Sequence, residues 1–280
     1  MIENPVLIDP TIRRALEEDL GTADLTTEAI ISPESRGQAV LLAREKMVLA
    51  GLPVFFRVFK LLCAEMEFEA HFEDGQVVPA GGKICLLSGP LAPLLEGERT
   101  ALNFLQRMSG IATLTRTYVE KVGSHGVRVV DTRKTAPGLR LFDKYAVRMG
   151  GGFNHRMGLF DGILIKDNHI AAAGSVGKAV ALAKRSAPHT VKVEVEVEDL
   201  GGVEEAVQAG ADVILLDNMP PDMVREAVRI IGGRVKTEAS GNINLDNIEE
   251  YARAGVDIIS VGALTHSARA ANVSLELSPS

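Results

Sequence analysis

A short stretch of the sequence concentrates positive charge in a chain that is acidic as a whole. The 280 residues carry a formal net charge of −7, which argues against nucleic acid as the main partner, because a phosphate backbone calls for a basic surface. Between residues 133 and 166 the balance reverses, with two acids, Asp143 and Asp161, among seven basic residues. Such a cluster is typical of a pocket for a small polyanion. Its basic members are Arg133, Lys134, Arg140, Lys144, Arg148, Arg156 and Lys166.

Two segments of this cluster combine residue types that bind carboxylates. In one, Arg133 offers a planar fork and Lys134 a mobile point charge, and a Pro-Gly turn follows shortly after. In the other, the three glycines at 150–152 allow the backbone to approach a ligand closely, and His155 and Arg156 add donors. A solvated basic turn and a structural histidine are the alternatives, and these segments alone leave them open.

Carboxylates lie near the ends of the two following strand-like runs. Lys192, Glu194 and Glu196 alternate with valines and so share one face, which we expect to point into the sheet or barrel. Asp217 closes the next apolar run. Carboxylates at neighbouring strand ends suit Mg²⁺ or ribose hydroxyls and stabilise a developing cation. An ion-pair network with Lys192 or Lys236 is the alternative.

Two small turns near the end of the chain have the composition of phosphate sites. Ser240-Gly241-Asn242 and Gly262-Ala263 each follow a strand-like run and precede a helical pattern. Such turns present backbone N–H groups to a phosphate, and barrel enzymes often place their phosphate site after the final strands. Asn tolerates left-handed backbone angles better than most residues, so we expect the first turn to form with Asn242 in it.

These residues lie on a repeating pattern of strand, turn and helix. Ala-Gly pairs at 209–210 and 254–255 end helical patterns just before apolar runs. The alternation predicts a parallel sheet, either closed as a barrel or open and doubly wound. No Gly-x-Gly-x-x-Gly follows the first strand, which counts against a dinucleotide-binding fold. The predicted strands are 127–130, 162–166, 191–197, 212–216, 235–239 and 257–261.

The first third of the chain lacks this rhythm and predicts a separate small α/β domain. It contains helical patterns at 11–20 and 53–62 and strand-like runs at 37–44 and 67–72. Two further helices, 96–107 and 111–122, are predicted on either side of Gly110.

Composition narrows the class of protein further. With 46% hydrophobic residues the chain can bury a full-sized core. No apolar stretch approaches the roughly 20 residues that span a bilayer, and no leader-like segment is present, so we expect a cytoplasmic protein without a membrane partner. Cys63 and Cys85 are predicted to be reduced core thiols, because two cysteines in apolar segments suggest neither a disulfide framework nor a zinc site.

Taken together, these segments resemble the quinolinate phosphoribosyltransferases, also called nicotinate-nucleotide pyrophosphorylases (carboxylating). The resemblance implies an α/β fold, with an N-terminal α/β sandwich-like domain at 1–110, joined by 268–280, and an incomplete TIM-like α/β barrel at 111–267. It also implies at least a homodimer. The matching segments follow the family order within residues 24–266 and are 96–103, 131–135, 151–156, 166–169, 194–197, 216–218 and 240–242.

The resemblance further implies roles for the candidate residues in converting quinolinate and phosphoribosyl pyrophosphate to nicotinate mononucleotide, pyrophosphate and CO2 in NAD biosynthesis. The implied catalytic residues are Lys134, Lys166, Glu196 and Asp217, of which the two carboxylates would also hold Mg²⁺ as cofactor. The implied quinolinate ligands are Arg99 of the partner subunit, Arg133, Lys134, Thr135, His155, Arg156 and Lys166. The implied phosphoribosyl pyrophosphate ligands are Glu196, Asp217, Ser240, Gly241, Asn242, Val261, Gly262 and Ala263.

Three other functions remain open at this point. A homologous pyrophosphorylase could act on a different heterocycle, although the set Arg99, Arg133, His155 and Arg156 argues for two carboxylates. Lys166 at a barrel strand end could instead form a Schiff base, as in an aldolase-like enzyme. A protein that only senses a phosphorylated ligand is the third alternative.

Overall fold

The computed structural model describes residues 2–279, which fall into two compact units. The first unit comprises Met1–Arg116, Ala136–Gly151 and Ser267–Ser280, and the second comprises Thr117–Thr135 and Gly152–His266. Within the described residues, no helix combines the length and the apolar content needed to cross a membrane.

Helices and strands are numbered in chain order. The helices are α1 (Pro5–Leu20), α2 (Leu25–Ile30), α3 (Leu52–Leu62), α4 (Leu91–Val122), α5 (Arg140–Met149), α6 (Asp167–Ala173), α7 (Val176–Ser186), α8 (Leu200–Gln208), α9 (Pro221–Ile231), α10 (Ile248–Arg253) and α11 (Ala263–His266), with a 3₁₀ turn at Gly123–His125. The strands are β1 (Arg36–Ala43), β2 (Met47–Val48), β3 (Glu67–Ala70), β4 (Val77–Val78), β5 (Lys83–Pro90), β6 (Arg128–Val130), β7 (Ile163–Ile165), β8 (Val193–Val197), β9 (Val213–Asp217), β10 (Lys236–Ser240), β11 (Ile258–Ser260) and β12 (Val273–Pro279).

The first unit is built on a four-stranded antiparallel sheet. Its strand order is β12-β1-β5-β3, so the last strand of the chain pairs with the first. Alternate residues of β1 are buried, as expected for a strand with one face on a core. Helix α3 supplies aromatic residues to the core of this unit, where Phe55 and Phe59, one helical turn apart, meet edge to face at 5.1 Å.

Helix α4 corrects one prediction. The sequence predicts two helices around Gly110, whereas the structure has a single helix of 32 residues through this position. A side chain at Gly110 would place its Cβ 2.0 Å from the carbonyl oxygen of Arg269. The glycine therefore allows the C-terminal segment to lie against the helix within the first unit, and it does not end the helix.

The second unit is the predicted barrel of parallel strands. Its sheet has the order β6-β11-β10-β9-β8-β7, and all five pairings are parallel. Gly210 and Gly255 adopt the left-handed conformation just before β9 and β11, as the sequence predicted.

The curvature of this sheet distinguishes a barrel from an open, doubly wound sheet. Glu194 on β8 and Glu238 on β10 are separated by the whole of β9. Strands lie about 4.8 Å apart, so a flat sheet would hold these side chains roughly 10 Å from each other. In the structure, one carboxylate oxygen of Glu194, one of Glu238 and one ring nitrogen of His155 all lie within 4.8 Å of one another. Side chains from β8, β10 and the segment before β7 thus converge on one point, as in the interior of a TIM-like barrel, here with the six strands of this sheet.

Both cysteines are free, as predicted. Cys85 is buried, and this burial raises the pKa of its thiol to about 12. Cys63 at the end of α3 is half-buried.

Candidate active site at the carboxyl ends of the barrel strands

A cavity of about 260 Å³ opens within the second unit where the barrel strands end. This is the face on which TIM-like barrels carry their active sites. Of the seven residues of the basic cluster, four border it, whereas Arg140, Lys144 and Arg148 belong to α5 of the first unit. The residues that line the cavity are Thr132, Arg133, Lys134, His155, Arg156, Leu164, Lys166, Glu196, Leu215, Asp217, Glu238, Ser240 and Ser260.

Some predicted site residues do not line this cavity. Arg99 is exposed on α4 in the first unit. Thr135 follows the basic loop, where its N–H donates to the carbonyl of Arg133 at 2.9 Å. Asn242, Val261 and Ala263, with the two turn glycines Gly241 and Gly262, belong to the segments after β10 and β11.

The loop after β6 is held by a fully buried carboxylate that sequence reasoning assigned no role. Asp131 accepts hydrogen bonds from the backbone N–H of His155 at 2.9 Å and from Nδ2 of Asn154 at 2.6 Å. It thereby ties the start of the loop that carries Arg133 and Lys134 to the start of the His155-Arg156 segment. The position of Asp131, directly after an apolar strand and before the basic residues, was the feature of the sequence that could have indicated this role.

The two arginines of the cavity influence each other. Burial lowers the pKa of Arg156, and the nearby positive charge of Arg133 lowers this pKa further, while Glu194 opposes both effects. Nη1 of Arg156 donates to the carbonyl of Gly162 at 2.9 Å. A ligand with more than one negative charge would relieve this repulsion between the two guanidinium groups.

Lys166 lies at the end of β7, where its ammonium contacts Glu196 of β8 at 2.5 Å. The same residue caps α6, since its backbone N–H donates to Nδ1 of His169 at 2.9 Å. His169 therefore serves the helix start. The Lys166 ammonium is engaged by a carboxylate, whereas a Schiff-base mechanism requires a neutral, nucleophilic amine. The predicted alternative pairing with Lys192 or Lys236 is not found for Glu196, and Lys236 instead pairs with Asp257 at 2.5 Å.

Asp217 ends β9, the neighbour of β8. Burial raises the pKa of its carboxyl, and the positive charges of Lys166 and Lys134 and a hydrogen bond from Ser240 partly offset that rise. Nδ2 of Asn218 donates to Asp217 Oδ2 at 2.6 Å and so fixes the orientation of the carboxylate.

The turn after β10 forms as expected with Asn in it. Asn242 and Asn218 both adopt φ of 55°, and Asn242 Nδ2 donates to Asn218 Oδ1 at 3.0 Å. Gly241 has φ of 91°, and a Cβ at this position would lie 2.3 Å from Asn218 Oδ1. Only glycine therefore lets the turns after β9 and β10 approach this closely.

Glu238, a buried acid that the sequence analysis did not include in the site, lines the cavity, and a second such acid, Glu194, contacts the lining residue His155. Nε2 of His155 lies 3.1 Å from Glu194 Oε2 and 3.8 Å from Glu238 Oε1. Burial and the adjacent charge of Glu194 raise the pKa of Glu238 to about 7. The alternation of β8 predicts that Glu194 points inward. The proximity of Glu238 to Glu194, by contrast, depends on the three-dimensional arrangement of the sheet and cannot be predicted from the sequence.

Two family models match consecutive parts of the chain. Residues 24–109 match the family described as quinolinate phosphoribosyl transferase, N-terminal domain, and residues 111–276 match its C-terminal domain.

Individual relatives match over nearly the whole chain. The probable nicotinate-nucleotide pyrophosphorylase [carboxylating] of Bacillus subtilis (strain 168) is 46% identical over 93% of this chain and 90% of its own. The mitochondrial quinolinate phosphoribosyltransferase [decarboxylating] 2a of Nicotiana tabacum is 41% identical over 94% of this chain and 80% of its own. The crystal structure of NadC from Streptococcus pyogenes superimposes with a TM-score of 0.96 at 47% identity, covering 99% of this chain and 98% of that one. The chain belongs to the quinolinate phosphoribosyltransferase family.

Proposed function

We propose that this protein transfers the phosphoribosyl group of phosphoribosyl pyrophosphate to the ring nitrogen of quinolinate, with release of pyrophosphate and CO2. The product is nicotinate mononucleotide, a precursor of NAD. One observation carries the proposal: cationic side chains from three loops meet two carboxylates in a single cavity. The cationic side chains suit a dicarboxylate ligand, and the carboxylates suit a ribose that becomes cationic during transfer. The groups that meet are Arg133, Lys134, Arg156, Lys166, Glu196 and Asp217.

The basic side chains account for binding of quinolinate. Arg133 and Arg156 lie close enough for the charge of one to lower the pKa of the other. A dianion between them relieves this repulsion, and planar guanidinium forks match carboxylates in bidentate fashion. Lys134 and Lys166 add mobile charges, and Thr135 adds a hydroxyl. A monocarboxylate would leave part of this charge without a partner, so the site selects for two carboxylates.

The carboxylates account for the transfer step. As pyrophosphate leaves, positive charge develops at the anomeric carbon of the ribose, and Glu196 and Asp217 stabilise it. Their orientation is set before reaction, because Lys166 holds Glu196 and Asn218 holds Asp217. The ring nitrogen of quinolinate bonds to the anomeric carbon and becomes cationic. The adjacent carboxylate then leaves as CO2, its bonding electron pair stays on the ring carbon beside the cationic nitrogen, and this carbon takes up a proton.

We further propose Mg²⁺ as the cofactor. Carboxylate oxygens are the hard ligands that Mg²⁺ prefers, and Glu196 and Asp217 offer them from adjacent strands. When bound there together with pyrophosphate oxygens, the ion would neutralise the leaving group. The turns that contain Ser240, Gly241 and Gly262 are the proposed phosphate contacts.

We propose, finally, that the enzyme is a homodimer in which Arg99 serves the partner's barrel. Arg99→Ala and Lys166→Ala variants should each be nearly inactive alone. In a mixed dimer one barrel keeps Lys166 and receives Arg99 from its partner. At random, complete exchange about half of the dimers are mixed with one working site each, so activity should recover to about a quarter of wild type. No recovery despite demonstrated exchange would leave Arg99 without a role in trans.

The activity is tested by incubating the protein with phosphoribosyl pyrophosphate, Mg²⁺ and quinolinate labelled in the carboxylate next to the ring nitrogen. Labelled CO2 and pyrophosphate should appear in equal amounts. Nicotinate, which lacks that carboxylate, serves as the control acceptor and should react poorly. Pyrophosphate release with another heterocycle but not with quinolinate would favour the homologous pyrophosphorylase, and no pyrophosphate release with either would favour a binding protein.

A further inference from the structure

The group formed by the half-buried His155 and the buried Glu194 and Glu238 has a position that the transfer chemistry alone does not explain. His155, Arg156 and Glu238 border the cavity at the carboxyl ends of the strands, and they also border a second cavity of about 400 Å³ that reaches Lys192 near the start of β8. These residues therefore form the partition on which the quinolinate site rests. What keeps this partition in one arrangement bears directly on where Arg156 lies.

Hydrogen bonds fix the proton of the His155 ring. The backbone N–H of Arg156 donates to Nδ1 at 2.7 Å, so Nδ1 is an acceptor in this arrangement. A neutral imidazole then carries its proton on Nε2. Nε2 faces Glu194 Oε2 at 3.1 Å, a distance suited to donation. The same tautomer excludes Nε2 as a metal ligand, although the three side chains lie close enough to surround an ion.

Each of the two carboxyl groups has one oxygen that lacks a donor. Glu194 is 8% exposed and Glu238 is 2% exposed, and the unpartnered atoms are Glu194 Oε1 and Glu238 Oε1. One oxygen of each carboxyl group lies within 4.8 Å of an oxygen of the other and of a ring nitrogen of His155. Two ionised carboxylates this close repel strongly, whereas one proton on Glu238 gives Glu194 the donor it lacks.

We propose that Glu238 is a positioning residue that acts as a neutral carboxylic acid: it donates to Glu194, Glu194 accepts from His155 Nε2, and the oriented imidazole holds the backbone of Arg156. The substrate named here rests on the proposed function. This chain of hydrogen bonds ends at the backbone N–H of Arg156. If the chain is broken, the guanidinium of Arg156, which binds quinolinate, is no longer held in place. The effect is on substrate binding, and it leaves Glu196 and Asp217 in place.

The surroundings of Glu238 support the neutral form. Burial raises the pKa of Glu238, and the charge of Glu194, which faces it from β8, raises this pKa further. A hydrogen bond from Ser260 of β11 opposes them, and so would a charged His155, but the acceptor role of His155 Nδ1 makes this ring neutral. Arg156 interacts with Glu194, and this interaction favours the arrangement in which Glu194 carries the charge and Glu238 the proton.

Two variants at Glu238 separate a proton donor from a required negative charge. Glu238→Gln keeps a donor toward Glu194, and Glu238→Met has a similar volume but no donor. At pH 7 we expect Glu238→Gln to keep a KM for quinolinate within threefold of wild type, and Glu238→Met to raise it at least tenfold. In both, kcat and the KM for phosphoribosyl pyrophosphate should change less than threefold. If Glu238→Gln is as impaired as Glu238→Met, the negative charge is what matters and the proposal fails.

Two measurements keep the test decisive if Glu238→Met does not fold. The KM of the wild type for quinolinate should rise from pH 7 to pH 9, because ionised Glu238 no longer donates, and Glu238→Gln should not show this rise. In ¹⁵N-histidine NMR, with His155→Ala for assignment, the ring should be the Nε2–H tautomer in wild type and in Glu238→Gln. A ring protonated on Nδ1 alone, or parallel KM profiles, would overturn the proposal. An inactive wild type would refute the proposed function only, since the tautomer is read without turnover.

Discussion

Replacement of Glu238 by Gln should change how the stability of this protein depends on pH. Burial and Glu194 raise the pKa of Glu238 from 4.5 to about 7 in the folded chain. Because the pKa of Glu238 is higher in the folded chain than in the unfolded chain, its protonated form contributes to the free energy of unfolding. This contribution is complete below the pKa of the unfolded chain and is lost as the pH rises through the pKa of the folded chain. Each pKa unit corresponds to 1.36 kcal/mol, so about 3 kcal/mol is lost between pH 4.5 and 7.

Gln at this position donates to Glu194 but does not titrate. The free energy of unfolding of Glu238→Gln minus that of wild type should therefore increase by about 3 kcal/mol between pH 4 and pH 8. Urea unfolding at closely spaced pH values, followed by circular dichroism, measures this difference. Glu204→Gln, a change of the same kind at an exposed position on α8, serves as the control and should give a flat difference. A flat difference for Glu238→Gln would refute the assignment of a neutral acid.

Three further substitutions test the site. Arg133→Ala should lower kcat/KM for quinolinate by roughly a hundredfold, about 3 kcal/mol, because a charge-assisted carboxylate contact is lost, and a near-wild-type value in a folded variant would remove Arg133 from the site. Asp217→Asn should lower kcat by roughly 10²–10³ with little change in quinolinate binding, since its charge acts mainly on the cationic ribose; weaker binding with an intact single-turnover rate would contradict this role. Gly241→Ala should destabilise the fold by about 1–3 kcal/mol and raise the KM for phosphoribosyl pyrophosphate, because its Cβ would meet Asn218, and unchanged thermal unfolding would show that the turn adapts.

Features that depend on local sequence were predicted well. Most strands of the barrel were found because they are short runs rich in apolar residues, and Gly210 and Gly255 end the helical patterns just before two of them. Basic and acidic residues placed after these runs came together, since the carboxyl ends of parallel strands share one edge of a sheet. Asn242 was expected in a left-handed turn on the basis of residue type alone, and it adopts φ of 55°.

Features that depend on contacts between distant residues were not predicted. Gly110 was predicted to separate two helices. Its actual role, to make room for the carbonyl of Arg269, depends on a contact that the local sequence does not show. The sequence around Asp131 looks like that of an ordinary polar loop. Its burial becomes clear only from its hydrogen-bond partners in the segment that precedes β7. Glu238 meets Glu194 across an intervening strand, so its importance depends on the curvature of the sheet, which spacing cannot determine.

The pairing of β1 with β12 has a consequence for synthesis of the chain on the ribosome. β1 needs partners on both sides, and 230 positions separate Arg44, next to β1, from its hydrogen-bond partner Ser274 in β12. At about 5–20 residues per second, roughly ten seconds or more pass between the emergence of the two segments. During that time one side of β1 is an open strand edge, which can recruit other chains. Ribosome stalling ahead of the last strand should therefore favour aggregation of the nascent protein, and a chaperone that covers the residues around Val40 would protect it.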